Sequence, residues 1–120
     1  MAYITRYTAD YWATKMLQSV GLNSRIDTCY GNLNDHYSPE TDTIWLTVQT
    51  SNSQTAQAAA IACHEVGHAN LCHQGFQGKR LEQEKQASAL ALKFLEEHLN
   101  PAQFQEAQEF LRKALATYQR

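Results

Sequence analysis

Residues 62–73 read A-C-H-E-V-G-H-A-N-L-C-H, and this stretch constrains the fold more than any other. On a helix of about 3.6 residues per turn, His64 and His68 project from one face, one turn apart, with Glu65 beside them. Two imidazoles placed that way can hold one Zn²⁺, and Glu65 is positioned to take a proton from a metal-bound water. The residues leading in, Ala56, Ala58, Ala59, Ala60 and Ala62, keep the same helix slim, so its neighbours can approach closely. Two histidines do not complete a zinc site. The fold must therefore bring a third protein ligand to them from elsewhere.

Along the same helix the options are poor. A glycine and a histidine further on would extend the motif, but those positions hold Leu71 and Gln74. Cys72 lies one more turn beyond His68, where reaching the same ion is strained, and it reads better as a small core residue. The next apolar-periodic segment, residues 81–98, offers Glu82 and Glu84. Its buried stripe is Ala87, Leu90, Ala91, Phe94 and Leu95, and one turn back from that stripe lies Glu84. Glu82 falls on the opposite face. Ala87, Ser88 and Ala91 are small enough to let this helix press against the alanine-rich one, which aims Glu84 at His64 and His68.

The remaining chain reads as α+β: about four α-helices with a small antiparallel sheet, one domain over residues 1–120. Residues 8–20 carry Tyr11, Trp12, Leu17 and Val20 at helical spacing, and Gly21 ends the run. Residues 25–30 alternate as a short strand, residues 35–37 open a second, and residues 43–48 alternate again with Ile44, Leu46 and Val48 on one face. Pro39 presets the turn between the last two. Residues 49–53 read as a polar loop, with helix from residue 54 onward. Asn100, Pro101 and Gln103 supply an N-cap, a first-position proline and a capping-box glutamine for a final helix over 101–118. That helix buries Phe104, Ala107, Leu111, Ala114 and Leu115.

Charge excludes some functions. A net charge of −2 with no Lys/Arg run leaves no basic footprint for nucleic acid. The longest apolar run, residues 58–63, is too short for a membrane span, and residues 1–8 lack the apolar centre of a secretory signal. Three cysteines without a CxxC spacing suit a reducing, cytoplasmic setting.

Four segments in order resemble the neutral zinc metallopeptidase family whose bacterial membrane members are called YugP-type. Residues 31–41, G-N-L-N-D-H-Y-S-P-E-T, are similar to that family's G-N-L-x-D-H-Y-x-P-x-T, and residues 62–69 to its A-A-H-E-V-G-H-A. Residues 84–88, E-K-Q-A-S, resemble its E-F-D-A-S, and the tail over 95–118 is also similar. The resemblance implies a gluzincin-like site with Glu84 as the glutamate ligand. It differs here in lacking the family's hydrophobic spans. Gln86 also stands in place of an aspartate, so a carboxylate that would orient a ligating histidine is missing, with weaker zinc binding as the consequence.

The combined expectation is a zinc-dependent metalloendopeptidase with one Zn²⁺ per chain on His64, His68 and Glu84. Glu65 is the general base, and a peptide or protein is the substrate. His36, Tyr37 and Tyr118 are candidates for stabilising the oxyanion or contacting substrate. The strand over 43–48 is placed to receive an extended peptide as an added strand. Two alternatives stay open: a regulatory metalloprotein of the ImmA/IrrE type acting on one partner, and a zinc-binding domain without catalysis. With so few residues above the metal, latency is a further expectation, the N-terminal segment or a neighbouring molecule covering the cleft.

Overall fold

In the computed structural model, which describes residues 3–119, the slim helix is the centre of the molecule. This helix, α3 (Ala56–His73), follows α1 (Ala9–Ser19), β1 (Arg25–Cys29), β2 (His36–Ser38), β3 (Thr43–Thr47) and α2 (Val48–Asn52). It precedes α4 (Arg80–His98), α5 (Pro101–Ala116) and a closing 3-10 turn, Thr117–Gln119. Along α3 the residues Ala59, Ala60, Ala62, Cys63, Val66 and Ala69 have no exposed surface, which is why α1, α4 and α5 can all pack on it. Against this face sit Trp12, Met16 and Leu17 from α1, Phe94 and Leu95 from α4, and Leu111 from α5.

The closest approach is between α3 and α4. A Cβ built on Gly67 would stand 2.5 Å from the Ala87 carbonyl oxygen and 2.8 Å from its Cα. The glycine between Glu65 and His68 is thus what lets the two backbones touch.

The sheet is mixed rather than antiparallel throughout. Its order is β1-β3-β2, with β3 antiparallel to β2 but parallel to β1. The loop over residues 30–35, opened by Gly31 at φ +75°, leaves a strand's width between β1 and β2. The tight turn at Pro39–Asp42 then inserts β3 into that gap. As the central strand, β3 has both edges occupied, so it cannot receive a peptide; the free edges belong to β1 and β2.

Residues 49–52, expected as loop, form the short helix α2 together with Val48, expected as the end of the preceding strand. Thr47 caps it, its hydroxyl accepting from the Thr50 amide at 3.2 Å. A second cap, Thr55, starts α3. The capping box at α5 is present, with the Asn100 side chain accepting from the Gln103 amide and Gln103 returning the bond. The burial of α5 fades after Leu111, and Ala114 is exposed. The segment from Tyr3 to Thr5 runs beside the start of α3 through an isolated bridge from Ile4 to Thr55. Among the described residues, no helix is long and apolar enough to cross a membrane.

Candidate metal centre

The middle of α3 and the second turn of α4 bring three donors together. His64 Nε2 lies 3.0 Å from Glu84 Oε1, and His68 Nε2 lies 2.8 Å from Glu84 Oε2. The two Nε2 atoms are 3.1 Å apart. One donor atom from each residue falls within 4.8 Å of the others, and among the described residues this is the group that could hold a metal ion. Two imidazole nitrogens and a carboxylate facing one another at these distances repel unless protons or a cation lie between them. Two nitrogens and one oxygen are also a donor set that zinc takes. The residues fit the ion.

Glu84 is buried and Glu82 exposed, as the helical spacing predicts. Burial pushes the Glu84 carboxyl up, but the His64 hydrogen bond and the His68 and His64 charges outweigh it, and its pKa is lowered. His68 is pushed down by burial and by the neighbouring His64 charge, against the pull of Glu84. Its lone pair is thus kept available at neutral pH.

Ser88 was read from sequence only as a small packing residue. Its hydroxyl sits 2.9 Å from His64 Nδ1, one turn after Glu84 on the same face of α4. By occupying Nδ1 it presents Nε2 to the site, the orienting role a carboxylate often plays. Position 86 is exposed and off this face, so the glutamine there leaves His64 no less well held. Replacing Ser88 with alanine is expected to weaken zinc binding on the order of tenfold while leaving the fold intact. Competition against a chromophoric chelator measures it.

Glu65 lies half-buried beside the triad, one residue round the helix. Burial, then the Glu84 and Asp35 charges, push its pKa up to about 8, opposed only by the Tyr37 backbone amide. This has a consequence for stability in the metal-free chain. A carboxyl whose folded pKa exceeds its unfolded value stabilises the fold fully below the unfolded value and loses that contribution as pH rises through the folded one. With chelator present, Glu65→Gln should therefore gain on the parent between pH 5 and pH 9. The gain is on the order of 2 kcal/mol, because solvent relieves part of the burial cost. Thermal melts across that range test it; a gap independent of pH would refute the burial.

Glu65, His68 and Glu84 open on a cleft of about 620 Å³. The same cleft is lined by His36, Tyr37 and Tyr118, so all three oxyanion candidates stand on its wall. They differ in freedom. The Tyr37 hydroxyl donates to Asp42 at 2.7 Å and is spent on the turn. The His36 ring stacks on Trp45 and its Nδ1 is 2.6 Å from the Asn34 carbonyl. Tyr118 lies beneath the guanidinium of Arg80, another cleft residue, which opens α4.

Cys72, expected in the core, is exposed and lines the cleft, outside the donor group. Cys29 and Cys63 are buried. His73 pairs with Asp42 at 2.8 Å and ties the end of α3 to the sheet, and His98 closes on the Phe94 carbonyl. None of residues 3–8 lines the cleft, so that part of the N-terminal segment does not cover it.

Fold and site together define an α+β chain with an H-E-x-x-H helix and a glutamate donor from the next helix. A model of the family described as "Putative neutral zinc metallopeptidase" matches residues 2–83, and the chain belongs to that family. The match takes in both histidines and Glu65 and stops one residue short of Glu84. No curated protein and no solved structure matches the chain.

Proposed function

We propose that this chain is a zinc-dependent endopeptidase, with zinc held by His64, His68 and Glu84 and with Glu65 as the general base. The observation that carries the reading is the convergence of the three donors beside a half-buried carboxyl on the wall of an open cleft. A closed structural zinc site uses four protein ligands. Here no fourth His, Cys, Asp or Glu joins the group among the described residues, which favours catalysis over a purely structural role.

When bound, zinc supplies Lewis acidity: it polarises a carbonyl, acidifies water and draws the pKa of nearby carboxyls down. The protein supplies the rest. Ser88 holds the His64 ring in its orientation, and Glu84 would complete the donor set with His64 and His68. Glu65 takes a proton from the attacking water on a carboxylate oxygen and returns it to the leaving amine. An extended peptide would lie along the free edge of β2, the strand that contributes His36 and Tyr37 to the wall. A reducing, cytoplasmic location suits three free thiols, one of them exposed.

Unfolded casein is the test substrate. Cleavage should be weak, abolished by chelation and restored by stoichiometric zinc. Cleavage that persists in chelator would contradict the reading.

A further inference from the structure

Arg80 differs from the other charged groups of the cleft. It opens α4 four positions before Glu84, so the two share a helix face about 6 Å apart along the axis. Two of the three carboxylates lining the cleft are committed elsewhere. Glu84 bridges the histidines, and Asp35 accepts from the Thr47 amide at 2.7 Å and the Thr50 hydroxyl at 3.0 Å. Among the described residues no carboxylate comes within 4.0 Å of the Arg80 guanidinium. The group is nevertheless placed: its central carbon sits 5.2 Å from the centre of the Tyr118 ring. The cleft that it lines also carries the apolar side chains of Leu71, Phe76 and Pro39.

The geometry points to Arg80 as the receptor for a substrate carboxylate, so that the cleft prefers peptides with an acidic group near the bond that is cut. This rests on the peptidase reading and names the substrate class for that same site. A guanidinium matches a carboxylate with two parallel N–H donors, a fit lysine does not offer. Stacking on Tyr118 limits its freedom beforehand, so less is lost on binding. The carboxylate can come from an Asp or Glu side chain or from a free C-terminus, and both present the same two oxygens.

The test uses the full chain carrying Glu65→Gln, supplemented with zinc, so that peptides bind without being consumed. Four probes are titrated by NMR, with affinity read from backbone amide shifts around the cleft in every variant and the Arg80 Nε–H resonance followed where Arg80 is present. They are acetyl-Ala-Phe-Leu-Ala as free acid, its C-terminal amide, and the amides of acetyl-Ala-Phe-Leu-Glu and acetyl-Ala-Phe-Leu-Gln. The two acidic peptides should bind about tenfold tighter than their neutral partners, a modest factor because the site is wet. The acid that gains more identifies side chain or terminus as the source. Adding Arg80→Ala should shrink the preference to about twofold or less with neutral peptides unaffected, and Arg80→Lys should keep part of it.

A preference that survives Arg80→Ala would place the carboxylate on the metal and overturn the proposal. So would an equal loss for charged and neutral peptides, or no binding by any probe. Cleavage by the chain with Glu65 intact is scored separately. Preference without cleavage keeps Arg80 and refutes the peptidase reading; cleavage without preference does the reverse.

Discussion

Glu65→Gln should leave zinc in place and reduce peptide hydrolysis by roughly 10²–10⁴-fold, the usual worth of a positioned base. Glutamine keeps the shape of the side chain and cannot accept the proton. Glu65 stands outside the donor group, so the substitution removes no ligand. Its neighbours also tolerate a neutral side chain, since burial and the Glu84 charge already favour the protonated form. The same variant separates the readings. In a zinc domain that serves only stability, metal and fold stay unchanged and there is no rate to lose. In a regulatory metalloprotein of the ImmA/IrrE type, casein is spared by parent and variant alike, and loss of function shows only on the one partner. Steady casein cleavage by the variant would remove Glu65 from the mechanism.

Gly67→Ala should destabilise the fold strongly for a single added methyl group. The new Cβ meets backbone, at 2.5 Å from the Ala87 oxygen and 2.8 Å from its Cα, so no rotamer change can relieve it. Overpacking of this kind costs about 1–3 kcal/mol, and a clash with backbone belongs at or above the upper end. Alanine recovers only about 1 kcal/mol through its better helix propensity. The net is a loss of roughly 2 kcal/mol, seen as a melting temperature lower by about 5–10 °C. The damage reaches the site. Ala87 is three residues after Glu84, so α3 and α4 moving apart pulls the carboxylate from His64 and His68, and zinc affinity falls with stability. Trimming the neighbour in the pair Gly67→Ala with Ala87→Gly should not rescue either property, because the contact is with main chain. Full rescue would show that side chains, rather than backbones, set the distance.

Much of the site was legible in the chain because its logic is periodic. One turn separates His64 from His68, and one turn back from the Ala87–Ala91 stripe selects Glu84 over Glu82. Such spacings survive any uncertainty about where a helix ends. What stayed hidden depends on how two elements meet in space. The Ser88 bond to His64 exists only because α3 and α4 pack at one particular register. Arg80 lies one residue before the segment expected as helix over 81–98, yet it opens α4 and carries the cleft's guanidinium.

The sheet shows the same division. Alternation located β1 and β3, and Pro39 marked the turn, but pairing direction follows from how far the loop over residues 30–35 spreads its ends. Alternation carries no record of that. Likewise Thr47, inside the expected strand, caps α2, and Thr55, inside the expected helix, caps α3. Cys72 was placed in the core by its type, whereas its position one turn beyond His68 turns it toward the cleft.

The central claim is that His64, His68 and Glu84 hold one ion together. Metal content by inductively coupled plasma mass spectrometry on the purified chain, with His64→Ala and Glu84→Ala alongside, tests it most directly. The parent should carry one equivalent of zinc and each variant less than about a tenth, all three remaining folded by circular dichroism. Full zinc occupancy in folded Glu84→Ala would contradict it.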